Sequence, residues 1–395
     1  MAHQRTPASG ASGREDHLRM RTSSRSPRQD TVSVKLYTEP EPDTIQRWSQ
    51  LVRQTSGSDV TQLPAWANLR MHVGFLPLYL LAHHEGRLVG GALVLQRQLP
   101  LLGLVGYLPY GPVIAAGPER AATASALSAA LADLGRRYLG SLFVQPPEGC
   151  ADVSDQLLAR GFRRSTAGIA PQASIRIDLT RDVDELRSAL SKTNRRGIRS
   201  AATRGVSVRI GDERDLPVVA DLLARTARYQ QFEPPSLKYL ARMYQELRPG
   251  EHVTVCIAEL DGVPAAAELF TGCGGVLKSR LTGMARSGLA RKSGAVAAID
   301  WHAILWAKAT GYHTFDFGGL TADAVDTIRA GLASRLAGPD FFKASFGGQP
   351  FSYPPPVELI SSPLVRVGYD LARRSSAGSR LVEAVKRVLR AGGGK

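Results

Sequence analysis

The order of apolar patterns along this chain predicts an α/β fold. Two tandem units are expected, each a mixed sheet flanked by helices, with no long coiled-coil insertion. Three observations lead there. Short strands with alternating apolar residues are interleaved with helical patterns rather than grouped apart from them. A succession of helices, hairpin, helix and strand runs once through residues 32–170 and again through 171–353. No apolar run approaches the length of a membrane span. Identity between the halves is too low to display the repeat directly, so it rests on the order of patterns.

In the first half a helix is predicted around Thr44 to Arg53, then strands at Leu78–His83 and Gly90–Gln96. Glu85-Gly86-Arg87 supplies the tight turn between them. A helix from Arg120 to Leu139 follows, then a strand over Leu142–Gln145 closed by Pro146-Pro147. A further helix around Ser154 to Arg160 stops at Gly161. The second half opens with a strand from Ala173 to Leu179, where Ile175, Ile177 and Leu179 alternate with Ser174, Arg176 and Asp178. Helices starting at Asp182, Asp215 and Ser236 come next. Strands at Val253–Glu259, Ala265–Thr271 and Leu277–Gly283 lead to a helix over Ala295–Thr310 and a strand over His313–Phe317. Residues 354–395 read as a proline linker, Pro354–Pro356, followed by a helical tail.

Composition bounds the partners. The 395 residues suffice for two cores, and 43% hydrophobic content with scattered charge fits a globular protein. Residues 1–31 are polar, Ser- and Arg-rich and free of any apolar stretch, which argues against a secretory signal and predicts a disordered basic leader. Cys150, Cys256 and Cys273 form neither a metal spacing nor a disulfide framework, in keeping with a reducing cytoplasm. The eight histidines show no ligand pattern, so no metal is expected. A net charge of +15 favours an acidic partner such as tRNA, a nucleotide-linked substrate or an anionic membrane, although high arginine use is also a habit of GC-rich genomes. No Gly-x-Ser-x-Gly elbow and no ATP-binding phosphate loop is present. Arg291-Lys292-Ser293-Gly294 only weakly matches the diphosphate loop of acyl-CoA enzymes, since Val296 stands where a small residue is needed.

Two segments near the end carry the most chemistry. Phe315-Asp316-Phe317-Gly318-Gly319 reads as a buried strand stopping on two glycines, where backbone can approach a ligand closely. Phe342-Lys343-Ala344-Ser345-Phe346-Gly347-Gly348 places one lysine between aromatics and ahead of a second glycine pair, a setting for developing negative charge or a phosphate. The plainer alternative is two adjacent strands with glycine turns, Asp316 capping the first of them. Upstream, Asp182 and Glu185 form a capping-box start, and Lys192, Arg195, Arg196 and Arg199 then fall on one helical face. That face is either a solvated charge stripe or a track for phosphates. In the tail, Leu381, Val382, Val385, Val388 and Leu389 oppose Arg380, Lys386, Arg387 and Arg390, a pattern that docks on the body or lies on anionic lipid.

Together the two glycine-paired segments resemble the Fem family of aminoacyl-tRNA-dependent peptidyltransferases. Other segments agree in order: Gln62 and Trp66, Tyr107–Val113, Leu142–Pro147, Lys192 with Arg195, Ile198 and Gly205-Val206, Thr226–Phe232, and Trp301–Gly319. The likeness spans roughly residues 35 to 360. It implies two tandem GNAT-like (acyltransferase-type) domains, aminoacyl-tRNA as co-substrate without a further cofactor, and an amine acceptor. That acceptor would be a peptidoglycan precursor or a natural product such as an antibiotic intermediate. By resemblance, Lys343 and Phe342 would act at the transfer site, with Lys343 and the Lys192, Arg195, Arg196 and Arg199 face on tRNA. Arg70, Tyr107, Tyr110 and Arg228 would line the acceptor side, and Asp316, Gly318, Gly319, Gly347 and Gly348 would shape the site. The chain departs from the family at Ile114-Ala115-Ala116, where an acidic residue is common, at Arg228, one position early with Tyr229 in its place, and at Leu281, where a tyrosine is usual. An acyl-CoA or acyl-carrier N-acyltransferase of the same fold, and a non-catalytic RNA-binding protein, are the competing readings.

Overall fold

The structure is a computed structural model that describes residues 31–99 and 103–374. Residues 1–30 of the basic leader and the amphipathic stripe Leu381–Leu389 lie outside the described residues.

Apolar alternation builds the first sheet from β1 (Ser33–Tyr37), β2 (Leu76–His84), β3 (Arg87–Leu99), β4 (Gly103–Pro109), β5 (Val113–Ile114), β6 (Ser141–Gln145) and β7 (Arg163–Arg164). Helices α1 (Pro42–Gln54), α2 (Pro64–Met71), α3 (Arg120–Arg137) and α4 (Ala151–Ala159) accompany it. The hairpin between β2 and β3 turns at Glu85 and Gly86, both at positive φ. The second sheet holds β8 (Ala173–Asp178), β9 (Val206–Gly211), β10 (Val253–Leu260), β11 (Val263–Cys273), β12 (Val276–Met284), β13 (Thr314–Gly319) and β14 (Gln349–Ser352). With it come α5 (Val183–Ala189), α6 (Lys192–Thr203), α7 (Leu216–Gln230), α8 (Leu237–Leu247), α9 (Gly288–Ser293), α10 (Ala295–Ala309), α11 (Ala322–Arg329) and α12 (Gly338–Ala344). After these, β15 (Val357–Ile360) and α13 (Pro363–Arg374) close the described chain.

Strand order makes the repeat visible where residue identity does not. The first sheet runs β1-β2-β3-β4-β6-β15-β7, with β5 beside β3, and the second runs β9-β10-β11-β12-β13-β8-β14 when read from its other edge. Each sheet has one parallel pair, β4 with β6 and β12 with β13, reached through a helical crossover. All other pairings are antiparallel. The fold is therefore α/β, with two mixed sheets flanked by helices.

Two expectations change. The segment after Pro354–Pro356 is not a linker into a helical tail: β15 returns to the first sheet and sits between β6 and β7. Val357 and Leu359 join the first core while Glu358 on the other side accepts from Ser165 and Arg366, so four residues suffice for a strand. The helix predicted from Asp182 is two helices. Asp182 forms the capping box with Glu185, but Leu190 turns extended and Ser191 caps α6 anew by accepting from the Asn194 amide.

Candidate active site

β12 and β13 pair in parallel over Val276–Lys278 and Thr314–Asp316, then part. Gly318 makes the parting possible. Its φ is +71° and a Cβ there would lie 2.9 Å from the Ser279 carbonyl, a conformation and a clearance that suit glycine alone. Asp316 accepts from the Gly318 amide at 2.8 Å and from Ser174, so it does fix the glycine turn. Gly347 and Gly348 lie against other backbone: added Cβ atoms would come 2.2 Å from the Ala189 carbonyl and 2.7 Å from the Arg176 carbonyl.

Phe342 and Lys343 belong to the short helix α12, not to a strand, because Pro339 starts a turn that the Gly347-Gly348 pair ends. A run of rings places this helix: Phe342 on Phe346 (centroids 5.3 Å apart), Phe346 on Phe317 (4.9 Å), and Phe317 on Phe315 (4.9 Å). Lys343 then extends across to β13, where its Nζ donates to the Gly319 carbonyl. Burial lowers its pKa against the pull of Asp340, Asp316, Glu268 and Asp300. The basic helix is tied to the same place. The Ser191 amide donates to the Ser345 carbonyl at 2.8 Å and Asn194 Nδ2 to Ser345 Oγ at 2.6 Å. Lys192, Arg196 and Arg199 are exposed and Arg195 is half-buried, with no ion pair recorded for the four among the described residues. The structure thus brings together Lys343, Phe342 and both glycine pairs, with the N-terminus of α6 tied to Ser345.

Below the glycine turn lies a buried ionic cluster joining the two sheets. Asp59, capping a short turn after α1, accepts from Lys278 Nζ at 2.9 Å and from Arg280 Nη2 at 2.6 Å. Arg176 pairs with Asp316 at 2.9 Å and with Glu148, and it donates to Tyr353 at 3.1 Å. Lys278 also donates to Tyr353 at 2.9 Å and lies 4.3 Å from the Tyr110 ring centre. Burial alone would raise the pKa of Asp59, yet Arg280 and Lys278 outweigh it and hold the carboxyl well below the usual range. The space left among these groups is about 10 Å³, room for one water. This cluster is an interlock rather than a substrate pocket.

Of the residues expected on the acceptor side, Tyr110 joins the interlock, at positive φ and with its hydroxyl donating to Pro171. Tyr107 is buried in β4. Arg70 is buried over the Phe75 ring and reaches Tyr239 of α8, so it serves the junction of α2 with α8. Arg228 is exposed on α7 and donates to its own helix at Ala224. A cavity of about 720 Å³ opens instead in the first half, walled by Arg47, Arg87, Arg120 and the segment Ile114-Ala115-Ala116.

Sequence reasoning missed Asp59, Arg176, Lys278, Arg280 and Tyr353, and also a carboxyl pair, Glu268 and Asp300. For the pair a signal existed: each is a lone acid in an apolar stretch, Ala265–Phe270 and Ala295–Ile304. The weak diphosphate motif also receives an answer. Ser293 Oγ accepts from the Ala295 amide, both residues are buried, and the Gly197 carbonyl of α6 stands over Gly294. Ser293 thus takes one α10 N-terminal amide, that of Ala295, and Val296 stands where the diphosphate loop of an acyl-CoA enzyme needs a small residue.

Residues 188–326 match the acetyltransferase (GNAT) domain family. A lipid II:glycine glycyltransferase of Staphylococcus aureus (strain MRSA252) is 24% identical over 229 residues, 55% of this chain and 54% of that relative. The chain thus spans about half the length of the curated relatives it matches. The crystal structure of FemX superposes with a TM-score of 0.71 at 16% identity, covering 84% of this chain and 99% of FemX. The chain shares the fold of FemX. L-PGS from Bacillus licheniformis shares the fold more distantly, with a TM-score of 0.51 at 12% identity over 89% of this chain and 98% of its own. No helix of this chain, among the described residues, is long and apolar enough to cross a membrane.

Proposed function

We propose that this chain is an aminoacyltransferase that moves an amino acid from aminoacyl-tRNA to an amine acceptor, forming an amide bond in the cytoplasm. The observation that carries the reading is the Lys343 ammonium, held at the Gly319 carbonyl where β12 and β13 part, with the N-terminus of the basic helix α6 tied to Ser345. A polyanion laid along α6 would bring its end to Lys343. The chemistry asked of the protein is modest. A tRNA ester is already activated, so the site needs to align the amine and hold the oxyanion that forms. Lys343 would supply that charge, and Phe342 would wall the channel beside it.

The similarity to a lipid II:glycine glycyltransferase supports a peptidoglycan precursor as acceptor. An amine-bearing natural product is the second choice, because the cavity wall at Ile114-Ala115-Ala116 departs from the family on the acceptor side. The Ser293 hydroxyl on the Ala295 amide, with Val296 at the small-residue position of the loop, weighs against an acyl-CoA donor. Purified protein, labelled aminoacyl-tRNA and a panel of amine acceptors test the reading. A labelled amide should form with neither ATP nor metal added, and ribonuclease pretreatment should abolish it. Equal product from free amino acid and ATP without tRNA would contradict it.

A further inference from the structure

Glu268 on β11 and Asp300 on α10 are 1% and 2% exposed. Each carries one buried oxygen, Glu268 Oε2 and Asp300 Oδ1, with no hydrogen-bond partner among the described residues. Ser279 of β12 donates to the other oxygen of Glu268. Two ionised carboxylates here would repel each other and leave both oxygens bare, whereas a single shared proton serves both. Such a pair carries one negative charge, and the half-buried Lys343, held at the Gly319 carbonyl beside the same strand parting, is the cation whose charge acts on it.

The surroundings are otherwise sparse in charge. Ser279 and Thr282 face Glu268 from β12, and Cys256 lies opposite it on β10 with its thiol pushed up to about 12 by burial. Lys343 comes from α12 with Asp340 beside it, and Asp316 from β13. Burial raises the pKa of Glu268 against the hydroxyls and Lys343, and it raises that of Asp300 with help from Glu268.

We propose that the Glu268–Asp300 pair is the proton store of the transfer reaction, acting through Lys343. The role rests on the reading of Lys343 given above. The acceptor amine arrives as an ammonium and must lose one proton before it can attack. Lys343 passes a proton to the pair, which becomes doubly protonated, and the resulting neutral lysine takes the proton of the acceptor ammonium. Lys343 is then charged again when the oxyanion forms. The free amine adds to the ester carbonyl, making the C–N bond. As the C–O bond to the ribose 3′ oxygen breaks, that oxygen takes the remaining surplus proton from nitrogen. The pair returns its extra proton to water after product leaves. Ile114-Ala115-Ala116 carry no carboxylate for this task, and Glu148, which also lines that cavity, is paired with Arg176.

Single-turnover transfer against pH, with saturating aminoacyl-tRNA, tests the role. The parent rate should rise with pH as the doubly protonated pair gives up the first of its two protons and becomes the form with one shared proton. Glu268→Gln and Asp300→Asn should each lower the rate near neutral pH by on the order of 100-fold and erase that limb, leaving aminoacyl-tRNA affinity unchanged. Ser279→Ala removes a hydrogen bond to the charged carboxylate and should move the midpoint of the limb upward, a readout that survives if the other variants fold poorly. Stability gives a measure independent of turnover. A carboxyl whose folded pKa is raised stabilises most below its ordinary 4.5, and that contribution fades as pH rises through neutral, so Glu268→Gln should flatten the decline. A parent-like profile in Glu268→Gln, with product formed, would overturn this role alone. No tRNA-dependent product from the parent protein would overturn the functional reading and this role together.

Discussion

Lys343 sits where its charge is costly, half out of water and beside an aromatic run, which is why its neighbours rather than its type single it out. If it stabilises the oxyanion, Lys343→Met should slow single-turnover transfer by on the order of 100-fold with little change in melting temperature, since the aliphatic stem remains. Lys343→Arg should recover part of the rate, because the charge persists in a planar fork. Asp59 makes the opposite kind of claim. Asp59→Asn would leave Lys278 and Arg280 buried without a counter-charge and should destabilise by about 3–5 kcal/mol in denaturant unfolding. The sign of its pH dependence follows from the depressed carboxyl. Its stabilisation is complete above the ordinary 3.8 and is lost as pH falls, so the variant should show a shallower acid limb than the parent. The sequence displayed Lys343 because aromatics and glycines flank it locally. It hid Asp59, whose partners lie 219 and 221 positions away, a separation no spacing rule bridges.

Among the elements, α6 bears the most testable charge. Should its cations lie on phosphates, tRNA affinity ought to fall with salt by about 0.7 log unit per contact per decade for single-strand-like sites. Arg195→Ala with Arg199→Ala should weaken binding and flatten that slope in filter binding. An unchanged slope in a folded double variant would make the face a solvated stripe. Regular elements were the readable part of the chain. Ile175 and Ile177 alternate with Ser174 and Arg176 because β8 has unlike faces, and Gly161 and Gly311 stop helices at positive φ. β15 escaped because four residues behind three prolines carry no period of their own, and its neighbours β6 and β7 lie far back in the chain. The break before α6 was equally silent, since Ser191 is as ordinary within a helix as at its cap.

At the scale of the whole molecule, two sheets of matching strand order meet through an interlock of charges, and the proposed transfer site lies where the inner strands β12 and β13 of the second sheet part. Returning β15 to the first sheet ties the end of the described chain to its beginning, so both halves are expected to unfold together. The repeated order was foreseeable from pattern succession, but the interlock arises only once both sheets exist. The central claim is that the donor is an amino acid esterified to RNA. The most direct measurement offers one labelled amine acceptor three donors in parallel: aminoacyl-tRNA, an aminoacylated RNA minihelix and acetyl-CoA. Aminoacyl-tRNA should give amide product, the minihelix should give product more slowly, and acetyl-CoA should give none. Product from acetyl-CoA at a rate equal to or above that from aminoacyl-tRNA would contradict the account.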